Sequence, residues 1–186
     1  MITKPSVIRS IARAIVPALI VTLIVAQTSA QERTSNGRQR IGIYDSRAVA
    51  VAFVRSPAHT NQMAPLLAEH RKAKESGDGE SVRRLEAAGK AMQEKIHLQA
   101  FSTEPVDDLL QHITNALPEI QKTARVSALI SRWDEPELKK YPNAERVDVT
   151  WQLIDAFQPT PRQRQSAVEI QKKKPVPLEQ ARRMRH

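Results

Sequence analysis

The sequence predicts an α-dominated α+β fold, a helical hairpin of two arms projecting from a small β body. Three observations carry that expectation. Val82, Leu85, Gly89, Met92 and Ile96 are spaced 3 or 4 apart, which is the a/d seam of a packed helix. Gly77-Asp78-Gly79 breaks the chain sharply just ahead of that seam, after another stretch with helical periodicity. Only 4% of residues are aromatic and only five are glycine, so the core must be aliphatic and extended strands are few.

Taken from the beginning, residues 1–30 carry the three zones of a cleavable secretory signal. A basic lead (Lys4, Arg9, Arg13) precedes an apolar run from Ala14 to Ala26, and Thr28-Ser29-Ala30 supplies small residues at the −3 and −1 positions. A bilayer-spanning helix needs about 20 apolar residues; this run is shorter and holds Pro17. The expectation is an exported, periplasmic protein, soluble or peripherally membrane-associated, whose mature chain starts at Gln31. The chain has no cysteine, so neither a lipid-acylated cysteine nor a disulfide is available.

Residues 31–39 are polar. RIGIY, Arg40 to Tyr44, reads as a short strand, with Asp45 and Ser46 able to cap a helix over Arg47–Val54. The alternation in AVAVAFV leaves a longer strand open there, and Pro57 ends the element on either reading. From Asn61 to Ser76, Met63, Leu66, Leu67 and Ala73 share a helical face; the second arm starts near Glu80. The hairpin, residues 61–101, then has arms of about 24 and 30 Å at 1.5 Å per residue.

Pro105 opens a third helical segment, with Thr103 or Glu104 at its cap and an apolar face of Val106, Leu109, Leu110, Ile113, Leu117 and Ile120 that Pro118 divides. Arg125–Trp133 reads as a buried strand with Val126, Ala128 and Ile130 on one face. Glu135–Tyr141 is a polar insert, Arg146–Val149 an edge strand, and Asp148 or Thr150 the cap of a last helix, Trp151–Phe157. Pro159 and Pro161 end the folded part, which makes residues 31–158 the domain and residues 159–186 a basic, Pro-containing tail that is linker-like or folds on a partner.

The formal charge of +9 is unevenly spread. Residues 159–186 hold eight Lys or Arg, including Lys172-Lys173-Lys174, against two Glu, whereas residues 31–158 balance 18 cations with 18 anions. A basic tail without interleaved aromatics is a nonspecific electrostatic footprint. Export disfavours nucleic acid and points to an anionic membrane surface or an acidic protein.

No catalytic template is filled. His59, His70, His97 and His112 lack the one-turn spacing and intervening carboxylate of a helical zinc site, and read as solvated or packed. Gly77-Asp78-Gly79 lies between helices without a lysine, so it is a turn and not a phosphate loop. No serine sits in a Gly-x-Ser-x-Gly elbow. Asp107 and Asp108 diverge by about 100° on a helix and suit its first turn, where carboxylates favour the dipole. Trp133 and Trp151 suit core or interface packing. The expectation is a protein that is not an enzyme and has no catalytic, cofactor-binding or metal residues and no cofactor; no residue is singled out as a substrate contact.

RIGIYDSRAVAVAF (Arg40–Phe53), ARVSALISRW (Ala124–Trp133) and VDVTWQLIDAF (Val147–Phe157), in that order behind a signal, resemble the Skp/OmpH-like family of periplasmic chaperones over residues 40–158. The resemblance implies a homotrimer in which terminal strands of three chains build the β body and coiled-coil hairpins surround a cavity for unfolded outer-membrane proteins, without ATP. This hairpin departs from the family pattern: it is short, and residues 58–101 carry seven cations and six anions, without strong positive charge. The second function the sequence allows is a non-catalytic structural or adaptor protein of the envelope on the same trimeric scaffold.

Overall fold

The computed structural model describes residues 37–184. The signal at 1–30, its cleavage after Ala30, and Arg185 and His186 of the tail lie outside the described residues.

The β body is a three-stranded, all-parallel sheet within one chain, in the order β2-β1-β3. Strand β1 (Arg40–Tyr44) is central. It pairs with β2 (Leu129–Ser131) through Gly42 beside Leu129, and with β3 (Glu145–Asp148) through Gly42 beside Val147. A central parallel strand is covered on both faces and therefore reads as a continuous apolar run. Ile41 and Ile43 meet Ile130, Leu138, Ala128, Tyr141 and Ala144 on one face; Tyr44, Leu129 and Val147 join the main core on the other. Both faces are thus filled without a second copy of the chain.

Asp45 caps α1 (Ser46–Phe53), accepting the Arg47 N–H, so the helical reading of AVAVAFV holds and the strand alternative fails. Helix α1 is almost wholly buried. Its alanines, Val49 and Phe53 form the centre of the main core with Val106, Leu109, Ile113, Leu153, Ile154 and Phe157.

Two helices packed on each other follow, longer than the arms the sequence suggested. Helix α2 (Pro57–Glu75) starts four residues before Asn61 because Ser56 caps it and Pro57 takes the first helical position. Gly77, at φ 72°, makes the turn, and Asp78 caps α3 (Gly79–Phe101). At 1.5 Å per residue these arms span about 28 and 35 Å. Gly89 faces Leu66, which would lie 3.5 Å from a Cβ placed there, an ordinary contact distance, so an alanine would fit at this crossing of the arms.

Past the hairpin several boundaries move. Helix α4 (Asp107–Leu110) runs into a 3-10 turn (Gln111–Ile113) and has no side-chain cap; neither Thr103 nor Glu104 caps it. Pro118 divides the pattern as expected, in the first turn of α5 (Leu117–Ala124). The strand expected over Arg125–Trp133 shrinks to Leu129–Ser131, because Arg125 closes α5 in the left-handed region at φ 54°. Val126 consequently lies outside the strand and packs toward Gly42, whereas Ile130 sits in the opposite cluster; the two do not share a face. Helix α6 (Glu135–Leu138) covers the second face of the sheet, and α7 (Thr150–Ala156) follows β3 with Asp148 accepting the Thr150 N–H.

The largest correction concerns residues 159–184, which are neither linker nor loose tail. Pro161 opens α8 (Pro161–Gln171) behind a Thr160–Gln163 capping box, and α9 (Leu178–Arg183) follows. Helix α8 packs on α1, burying Gln163, Ala167 and Ile170. Two buried apolar residues and a capping box outweigh the basic, Pro-rich composition from which disorder was expected.

Candidate functional site

A groove of about 1040 Å³ opens where the two arms meet the body. Five elements line it, α4 through Asp108 and Leu109. Met63, Leu66 and Leu67 come from α2, Met92, Ile96 and Phe101 from α3, Val51 and Val54 from the end of α1, and Thr160, Arg162, Gln163 and Ser166 from α8. At the outer end of the groove Leu85 is buried and His70 Nε2 lies 3.2 Å from Glu86 Oε1; beyond it Ala73 is buried. Toward the body α3 packs against α1 as well as against α2. Along the seam of α3 Leu85 is buried, whereas Val82, Gly89, Met92 and Ile96 are half-buried. Leu67 and Phe101 are each 54% exposed, and Met63, Leu66, Met92 and Ile96 are half-buried.

The polar groups of the groove are specific. Gln99 is fully buried on α3 and donates Nε2 to Pro105 O (2.9 Å) and Asp108 Oδ1 (2.7 Å), while its Oε1 has no hydrogen bond among the described residues. Lys95 answers Asp108 at 2.7 Å and His70 meets Glu86. Arg55 and Arg162 are exposed groove residues whose side chains have no ion pair among the described residues. The groove is an apolar surface with a cationic bias at its root, and the His70–Glu86 and Lys95–Asp108 pairs also line it.

Three of the sequence-named histidines line the groove: His59 and His70 on α2, and His97 on α3, edge-on to Phe101 with centroids 6.3 Å apart; His112 stacks on Phe53 at 5.1 Å and faces a second cavity. Among the described residues no group of His, Asp or Glu is placed to hold a metal ion. Asp107 and Asp108 fall in the first turn of α4, as dipole chemistry suggests.

Trp133 belongs to a separate, structural cluster at the C-terminal edge of the sheet. Its Nε1 donates to Asp45 Oδ1 at 3.2 Å, and the Arg47 guanidinium lies over its ring at 4.8 Å. Arg47 also bonds Asp45 Oδ2 at 2.8 Å and Lys173 O at 2.8 Å, so it ties β1, α1 and the chain after α8 together. Nearby Tyr44 is held well above the usual phenol range, by burial first and then by Asp107 and Asp134, so it stays protonated. Trp151 is partly exposed on α7.

Comparison with protein-family models, with curated proteins and with solved structures finds no match. The site therefore rests on its own chemistry. Composition alone missed the α8 contribution, because Arg162 and Gln163 sit in a stretch that reads as solvated; the one local signal for their order was Thr160-Pro161-x-Gln163, a capping-box pattern.

Proposed function

We propose that this chain is an exported, non-catalytic, ATP-independent holdase of the cell envelope that takes apolar segments of unfolded outer-membrane proteins into the groove at the root of its hairpin. The observation that supports this most is the unspent part of the seam: Leu67 and Phe101 stay exposed beside half-buried Met63, Leu66, Met92 and Ile96. Two methionines among the lining side chains suit a surface that must adapt to varied apolar partners. Export is carried by the order of residues 1–30, and kinship with the Skp/OmpH-like chaperones by the motifs of residues 40–158. A homotrimer belongs to the proposal on that resemblance alone, since the sheet has both faces covered within one chain. An anionic membrane surface could be met by exposed Lys173, Lys174 and Arg183.

The test is suppression of aggregation of a denatured outer-membrane β-barrel by the purified mature chain, with its mass measured in parallel. Suppression at near-stoichiometric ratio without ATP supports the proposal. A well-folded protein that leaves aggregation unchanged would leave the structural or adaptor reading in its place. Intact Met1–Ala30 on the abundant cellular form would remove the export step.

A further inference from the structure

The arm α2 is attached to the body at one narrow place. Of its nineteen residues only Ala73 is buried, at the far end. Its first half has open space on both sides: the groove faces His59, Gln62 and Met63, and a second cavity of about 440 Å³ faces Pro57, Ala58, Asn61 and Gln62. Pro65 lies mid-helix and has no N–H for the helical ladder, which separates this half from the part packed on α3. At the other end Arg55 holds a left-handed φ of 65°, a conformation that carries strain in a residue with a Cβ.

His59 closes this junction. Its backbone N–H donates to the cap oxygen of Ser56 at 3.2 Å, while its ring Nδ1 accepts the Arg55 N–H at 3.1 Å. This differs from a capping box, in which the third helical residue's side chain accepts the N–H of the cap residue: the Ser56 N–H bonds Phe53 O at 2.9 Å, and the imidazole instead holds the N–H of Arg55, one residue before the cap. The ring also stands edge-on to buried Phe53 of α1 at 5.3 Å. One side chain therefore fixes the strained turn, the helix start and the contact with the body.

We propose that His59 is a pH-operated latch: neutral, it holds α2 and the groove wall against the body; protonated, it releases them. Protonated Nδ1 is a donor and cannot accept the Arg55 N–H. A cation in the first turn of a helix opposes the dipole, and α2 has no acid in that turn. The charged groups lining the groove with His59 are Arg55, Arg162, Lys95 paired to Asp108, and Glu86 paired to His70, with His97 beyond; His112 lies on the same Phe53 ring. No free carboxylate among them rewards an imidazolium. Burial further lowers the His59 pKa below its ordinary 6.5. The latch is intact above pH 6.5 and is lost as pH falls through the lowered folded value.

The inference rests on the groove reading for its consequence, client release on acidification, but the latch is measurable without it. Amide exchange of residues 57–64 in the mature protein, corrected for intrinsic rates, is followed from pH 8 to 5 with NMR titration of His59. Exchange should accelerate about fivefold across the His59 transition, the ratio for losing one capping bond. His59→Gln, which keeps a neutral acceptor, should exchange slowly at every pH, His59→Leu fast at every pH, and His112→Gln should keep the wild-type response. A pH response surviving in His59→Gln, or flat exchange while His59 titrates, overturns the latch. If His59→Leu fails to fold, the Gln variant alone decides. Nile red, a neutral apolar dye, reports the groove separately: weaker binding at low pH links latch to groove, whereas no binding at any pH defeats the groove reading and leaves the exchange result standing.

Discussion

Gln163 donates its side-chain amide to the carbonyl oxygen of Ala52, 3.3 Å away, and to that of Val54, so that α8 satisfies the C-terminal carbonyls of α1. Those carbonyls have no partner inside their own helix. The contact joins a residue of the supposed tail to the helix at the centre of the core and sets the floor of the groove. Gln163→Ala should lower stability by about 1–3 kcal/mol, the cost of leaving buried acceptors unpaired. Truncation after Gln158 also strips Ala167 and Ile170 from the core, and should abolish cooperative thermal unfolding. A truncated chain that melts like the full one would show that α8 is only an appendage.

Asp45 and Arg47 form a buried pair, 0% and 1% exposed, 2.8 Å apart. Removing one member leaves the other charge buried without its counter-ion, at a cost of about 3–5 kcal/mol. Asp45→Ala should therefore destabilise severely by denaturant unfolding, and it also loses the α1 cap and the Trp133 bond. Arg47→Met, which keeps an apolar stem but still leaves Asp45 buried, should be similarly harmful. The double variant Asp45→Ala/Arg47→Met should cost less than the sum of the two.

Gly42 lies where β1 is pressed by three side chains. A Cβ there would meet Leu129 Cδ2 at 2.9 Å, Val149 Cγ2 at 3.1 Å and Val126 Cγ2 at 3.2 Å. Val126 and Val149 are buried and Leu129 is half-buried, so relief requires these side chains to shift. Gly42→Ala should cost about 1–3 kcal/mol, read as a fall in the denaturant midpoint without a change in the slope.

What the sequence made legible was local. The strand at Arg40–Tyr44, the Asp45 cap, the Gly77 turn and the division at Pro118 each follow from a few adjacent residues whose chemistry admits one geometry. What it hid depended on distant partners. The parallel sheet needs β2 and β3 to find β1 from far along the chain, and three or four residues carry little pattern. Arg125 took a left-handed cap that arginine seldom adopts, which shortened the expected strand. Of the candidate site, the apolar arm residues were visible as a seam, but a seam does not say which of them the body covers; that depends on α3 packing against α1. Arg162 and Gln163 were invisible because their helix earns its order from α1.

The groove itself predicts a separation of function from stability. Leu67 and Phe101 are more than half exposed, so replacing them with serine removes little buried surface and should change unfolding free energy by about 0.5 kcal/mol or less. The same changes take apolar area from the surface on which a client segment would lie. Leu67→Ser/Phe101→Ser should therefore need several-fold more protein to suppress aggregation of an unfolded β-barrel, with melting unchanged. Ala73→Asp is the opposite control. Ala73 is the one buried residue of α2, in the outer part of the hairpin and outside the groove lining. Burying an unpaired carboxylate there should loosen the arms and lower the melting temperature, while the groove's apolar residues remain in the chain. If the serine variant holds clients as well as the wild type, the exposed seam is not the binding surface, whatever the stability of either protein.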